Sequence, residues 1–228
     1  MPLFRIKPNQ PVSGPHQEEN FVESGAPVSR AKAAMIMIHG RGAEAKGILS
    51  LSDDFAQPDI HYIAPQAAGR TWYPHPFTEP LKKNEPWLNS ALQRVDDLIQ
   101  QLNGQGIGTG KIVLLGFSQG ACLALEYAAR HPRRYGGVIG LSGGLIGEEI
   151  RASEYSGDLE NTPVLIGSGD QDPYLELKRV DESAALFDTL NADVSKQIYP
   201  GKGHVIVEDE VKYIRALFSS ILYGDSIS

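Results

Sequence analysis

The apolar run Ile112-Val113-Leu114-Leu115 passes without a break into Gly116-Phe117-Ser118-Gln119-Gly120, and a helical pattern begins at once through Ala121–Ala129. A chain with this stretch must set a buried strand, a sharp turn and a helix in direct succession. Gly116 and Gly120 allow the bend, because neither puts a Cβ between the strand and the helix. In that setting G-x-S-x-G has the form of a nucleophile elbow, which lifts a serine hydroxyl out on the turn. The competing reading is an ordinary glycine-rich connection with a serine for polarity. The strand before it and the helix after it argue against that.

The rest of the chain repeats the same unit. Buried-strand candidates are Ala34–Ile38, Ile60–Ala64, Lys111–Leu115, Gly137–Leu141, Pro163–Ile166 and Val194–Tyr199. Most are continuous apolar runs, as expected of parallel strands covered on both faces. Helical patterns lie between them at Leu88–Leu102, Ala121–Arg130, Leu175–Leu190 and Val207–Leu222. This alternation predicts an α/β fold: a mostly parallel, doubly wound sheet with helices on both faces. Functional residues should then gather beyond the carboxyl ends of the strands. Residues 1–30, rich in Pro, Gly, Ser and Glu with apolar islands at Leu3–Ile6 and Phe21-Val22, read as an irregular lead-in with an edge strand or hairpin. Residues 31–228 read as one α/β domain, a size within the range of a single unit.

Composition removes several classes of function. The net charge of −7 argues against nucleic acid or an anionic membrane as partner, since basic patches drive both. One cysteine, Cys122, leaves no internal disulfide. The first residues lack an apolar signal-peptide core, and no apolar stretch approaches the ~20 residues of a membrane span. A soluble cytoplasmic protein is expected, as a monomer or homodimer. Gly104-x-Gly106-x-Gly108-x-Gly110 precedes a strand instead of following one, the wrong side for a dinucleotide phosphate. With no Walker lysine, no H-E-x-x-H and no zinc-ligand spacing among the scattered histidines, no cofactor and no metal are expected.

A catalytic serine needs a base, an acid to orient the base, and donors for the oxyanion. His131 closes the helix that starts at the serine, roughly 20 Å down its axis, and suits a helix C-terminus better than catalysis. His204, in Gly201-Lys202-Gly203-His204, follows the strand Val194–Tyr199 on a glycine-rich loop and can swing onto Ser118. The acid should end the preceding strand, where Gly169-Asp170-Gln171-Asp172-Pro173 offers two aspartates. Pro173 fixes the turn after Asp172 and modestly favours it, leaving Asp170 to cap the loop. One oxyanion donor should be the amide of Gln119, at the positive end of a helix. The other should come from His39-Gly40-Arg41-Gly42 after the first core strand, with Arg41 the natural donor. His39 should brace this turn, and the Arg41 side chain should be solvated.

The set His39-Gly40-x-Gly42, Ala64-Pro65, Trp72-Tyr73, Gly116–Gly120, Leu141-Ser142-Gly143, Gly169-Asp170-x-Asp172-Pro173 and Gly203-His204 resembles the phospholipase/carboxylesterase family, small α/β-hydrolases that include acyl-protein thioesterases and bacterial carboxylesterases. The resemblance runs over roughly residues 33–222. It implies the α/β-hydrolase fold, Ser118 as nucleophile, Asp172 as acid, His204 as base, and amides of Arg41 and Gln119 as the oxyanion hole. It further implies a small-molecule ester or acyl substrate, cleaved through an acyl-enzyme. Arg41, Pro74 and the segment Thr71–Trp87 depart from the family pattern, around the expected acyl pocket. Trp72 and Tyr73 are candidate substrate contacts. Two other functions fit the same fold: a non-catalytic scaffold for a small ligand, and a hydrolase of aromatic-ring-cleavage products.

Overall fold

The computed structural model describes residues 14–55 and 57–224. The Leu3–Ile6 island and the rest of the lead-in before residue 14 lie outside the described residues, as do residues 225–228 of the expected domain. Seven strands form one sheet: β1 (Phe21–Gly25), β2 (Ala33–Ile38), β3 (Ile60–Pro65), β4 (Ile112–Phe117), β5 (Gly137–Leu141), β6 (Pro163–Gly169) and β7 (Asp193–Tyr199), in the spatial order β1-β3-β2-β4-β5-β6-β7. All neighbours are parallel except β1, which runs antiparallel along β3 with Phe21 opposite Pro65. Strands β2 to β6 are buried throughout except at Phe117, as continuous apolar runs require when both faces are covered.

Each face carries its own apolar layer. On one side α3 (Trp87–Gly104), α4 (Gln119–Arg130) and α5 (Leu177–Thr189) bury residues such as Leu92, Leu125 and Phe187 against the sheet. On the other side the short α1 (Ala45–Leu49) and α2 (Ser52–Phe55) join α6 (Glu208–Tyr223), with Phe55, Tyr62 and Phe218 at mutual ring distances of 6.1–6.2 Å. The doubly wound sheet with helices on both faces is therefore present. No helix among the described residues is long and apolar enough to cross a membrane.

The order of strands positions the site. From β2 the chain moves to β3 on one side, then returns past β2 to β4 on the other. Strands β2 and β4 are neighbours with Ile38 opposite Gly116, so the loops leaving them meet at the point where the winding reverses. Such a point opens a crevice at the carboxyl ends of the strands.

Helix α4 is central and buried along nearly its whole length, including Glu126, which is fully shielded. Glu126 pairs with Arg130 at 2.6 Å and accepts the Ile146 amide at 2.9 Å and the Tyr155 hydroxyl at 3.1 Å. A buried carboxylate needs such partners, and these tie the loop after β5 to the helix that begins at Ser118. His131 stands at the end of α4, at the helix C-terminus that suits it. Burial lowers its pKa, and the ring bonds the Tyr127 carbonyl at 3.0 Å through Nδ1. It caps the helix as a neutral donor rather than as a charge facing the dipole.

Candidate active site

The elbow is tight because two glycines face backbone. A Cβ on Gly116 would fall 2.1 Å from the carbonyl oxygen of Gly120, and one on Gly120 would fall 2.1 Å from that of Ile38. Any side chain at either position would force β4, β2 and α4 apart. Between them Ser118 has φ 56° and ψ −120°, a strained setting for a residue with a side chain. Its amide donates to the Leu141 carbonyl at 2.9 Å, and its own carbonyl accepts from Cys122 at 3.1 Å. The serine is thus locked to β5 and to the first turn of α4.

Asp172 and His204, far apart in sequence, are joined by a 2.7 Å hydrogen bond between Oδ2 and Nδ1. A carboxylate only accepts, so Nδ1 carries the proton and Nε2 of a neutral ring presents its lone pair. The Asp172 side chain is fully shielded from solvent, and its Oδ1 accepts the Tyr174 amide at 2.9 Å. The His204 ring sits between Phe117, 4.9 Å away, and Tyr174, met edge-on at 5.0 Å. Asp170 instead accepts the Gly201 amide at 2.7 Å. It braces the loop that carries His204, the capping role expected of it.

The turn after β2 packs on the elbow, with Gly40 close enough that a Cβ would lie 3.3 Å from that of Ser118. His39 is buried; the Gly40 carbonyl can only accept from Nδ1, which leaves Nε2 to accept the Ala67 amide at 3.1 Å. Burial keeps this ring neutral, so His39 braces the turn as expected. The amides of Arg41 and Gln119 donate no hydrogen bond to any described residue. Two such free amides, one at the start of a helix, suit an anion.

Several side chains are placed differently from expectation. Trp72 is fully buried and is not among the residues lining the cleft: its indole donates to the His39 carbonyl at 2.8 Å and so supports the turn. Tyr73 does line the cleft, though it is 1% exposed and contributes little surface. The guanidinium of Arg41 is held by the carbonyls of Tyr73, Pro74 and His75 at 2.8, 2.9 and 3.1 Å, and is not simply solvated. Cys122 lines the cleft as well, but burial pushes its thiol up to about 11, so it stays protonated and inert.

The cleft encloses about 1380 Å³ and is lined by Ser118, Asp172, His204, Arg41 and Gln119 together. Sequence reasoning did not single out Tyr174, 73% exposed beside His204, or Ile150, which walls the cleft from the acidic loop after β5. Neither sits in an apolar pattern; the one available signal was the position of Tyr174 two residues after Asp172.

The fold is that of the α/β-hydrolases. Within that class the chain belongs to the phospholipase/carboxylesterase family, whose sequence profile matches residues 18–221. It is similar to the crystal structure of a phospholipase/carboxylesterase from Dyadobacter fermentans, 42% identical, with a TM-score of 0.85 over 91% of this chain and 97% of that one. It is 33% identical over 141 residues to acyl-protein thioesterase 1 of Gibberella zeae, a match that spans 61% of this chain and 57% of that protein. A longer match, to acyl-protein thioesterase 1 of Saccharomyces cerevisiae, is 24% identical over 89% of this chain and 99% of that one.

Proposed function

We propose that this protein is a serine hydrolase that cleaves carboxylic ester or thioester bonds of small acyl substrates through an acyl-enzyme on Ser118. The observation that carries this reading is the 2.7 Å Asp172–His204 bond, made in the same cleft as a serine at positive φ. The Ser118 hydroxyl attacks the acyl carbonyl while Nε2 of His204 takes its proton. Asp172 holds Nδ1–H and stabilises the imidazolium that results. The oxyanion is received by the amides of Arg41 and Gln119; one such donor typically contributes about 3 kcal/mol. His204 then returns the proton to the leaving alcohol or thiol, and later activates the water that releases the acid.

Stopped-flow release of p-nitrophenol from acetate, butyrate and octanoate esters tests this directly, with Ser118→Ala alongside. The expected outcome is turnover in the parent and a loss of about 10⁴-fold or more in the variant. Comparable rates in both would remove Ser118 as nucleophile. A matched acyl thiocholine, assayed beside the butyrate ester, ranks the thioester against the ester.

A further inference from the structure

The segment Tyr73–Phe77 forms one wall of the cleft, yet it belongs to no helix or strand. Pro74 and Pro76 contribute no N–H, so this stretch cannot hold itself by regular backbone bonding. Bonds from outside the stretch hold it, most of them from side chains. Asn84, fully buried, accepts the His75 amide at 2.8 Å and donates to the Pro76 carbonyl at 3.3 Å. The Gly147 amide donates to the Phe77 carbonyl at 2.7 Å and Thr71 Oγ1 to the Tyr73 carbonyl at 3.4 Å, and the remaining side-chain ties come from Gln119 and Arg41. Gln119 accepts the Trp72 amide at 2.9 Å and donates to the Tyr73 carbonyl at 2.8 Å. Arg41 donates to that same Tyr73 carbonyl and to the next two.

The two residues with free backbone amides at the cleft therefore converge, by their side chains, on one carbonyl of the wall. The guanidinium fork is planar and always charged, so it can hold several carbonyls at fixed spacing in a way that an ammonium or an apolar chain cannot. No carboxylate among the described residues lies within ion-pair distance of Arg41, so no competing partner draws it away. We infer that Arg41 is a specificity-determining positioning residue: its side chain sets how far the Tyr73–Phe77 wall stands from the oxyanion turn, and so which apolar acyl groups fit between Pro74, Phe77 and Ser118. A wall referenced in this way selects by size instead of adapting to its guest.

This inference rests on the esterase reading above, and the experiment separates the two. We would measure kcat and KM on p-nitrophenyl acetate, butyrate and octanoate for the parent, Arg41→Met, Arg41→Lys and Gln119→Met, with melting temperature as a check on folding. The parent is expected to discriminate among the three chains. In Arg41→Met the ratio of best to worst kcat/KM should fall about tenfold, through KM. Arg41→Lys should recover part of that ratio, and Gln119→Met, which cuts a second tie to the same carbonyl, should shift it in the same direction. A uniform fall in kcat on all three esters, an unchanged ratio, or a parent profile flat within about threefold would each overturn the inference while leaving the esterase reading intact. No turnover of any ester by folded parent protein would overturn both.

Discussion

Asp170 and Asp172 stand two residues apart at the end of β6 and have different partners. Asp172 is shielded and bonded to His204, whereas Asp170 accepts one loop amide in solvent. An asparagine at 170 can still accept from Gly201, so Asp170→Asn should lower kcat by less than about tenfold. An asparagine at 172 has no charge to stabilise an imidazolium and can hold the wrong tautomer, which costs about 10³- to 10⁴-fold in kcat in comparable triads. Steady-state kinetics on one ester compares them; a larger loss at 170 would mean that the acid is wrongly assigned. Pro173 favoured Asp172 only modestly at the level of sequence, because both aspartates sit in the same turn chemistry. A contact across 32 residues separates them.

At the scale of elements, α6 is attached to the sheet through an acid. Glu210 is 1% exposed, accepts the Val207 amide at 2.9 Å, and presses on Gly167 of β6 so closely that a Cβ there would lie 2.1 Å from Oε1. Burial raises its pKa from 4.5 to about 7. The folded protein then binds more protons than the unfolded chain between those values, so the stability is fully present below pH 4.5 and is lost as pH rises through 7. The shift corresponds to about 3 kcal/mol across the window. His16 has the opposite slope: burial between the loop before Trp72 and α3 lowers it from 6.5 to about 4, so its contribution is lost as pH falls. Urea titrations from pH 4 to 8 should therefore show Glu210→Gln more stable than the parent at pH 8 relative to pH 4. An unchanged pH profile would show that this carboxyl is not held neutral. The longer helices were legible because apolar residues recur at helical spacing over many turns. Helices α1 and α2, of 5 and 4 residues, are too short for any period to register. The extension of β6 through Gly167-Ser168-Gly169 has no apolar side chains to announce it, and is imposed by pairing with β7.

At the scale of the whole molecule, stability should be graded across the sheet. Strands β2, β4 and β5 are paired on both sides and covered on both faces, while β7 pairs only with β6 and carries exposed Asp193 and Lys196. Amide exchange in the three central strands is expected only on global unfolding, and in β7 through smaller openings. Equal protection of β7 and β4 in a hydrogen-exchange experiment would refute that gradient. The central strands carry the elbow and the turn after β2, so the candidate reaction centre rests on the strands expected to exchange last. The sequence by itself determined the strand–helix alternation, the strained serine turn and the order of Ser118, Asp172 and His204, because each depends on neighbours within one element or one turn. The tertiary structure alone decided that Trp72 is buried behind the turn it supports, that Arg41 clamps the cleft wall, and that Glu210 is buried against Gly167. Those roles depend on contacts between residues more than 30 positions apart, and such contacts leave no periodic trace along the chain.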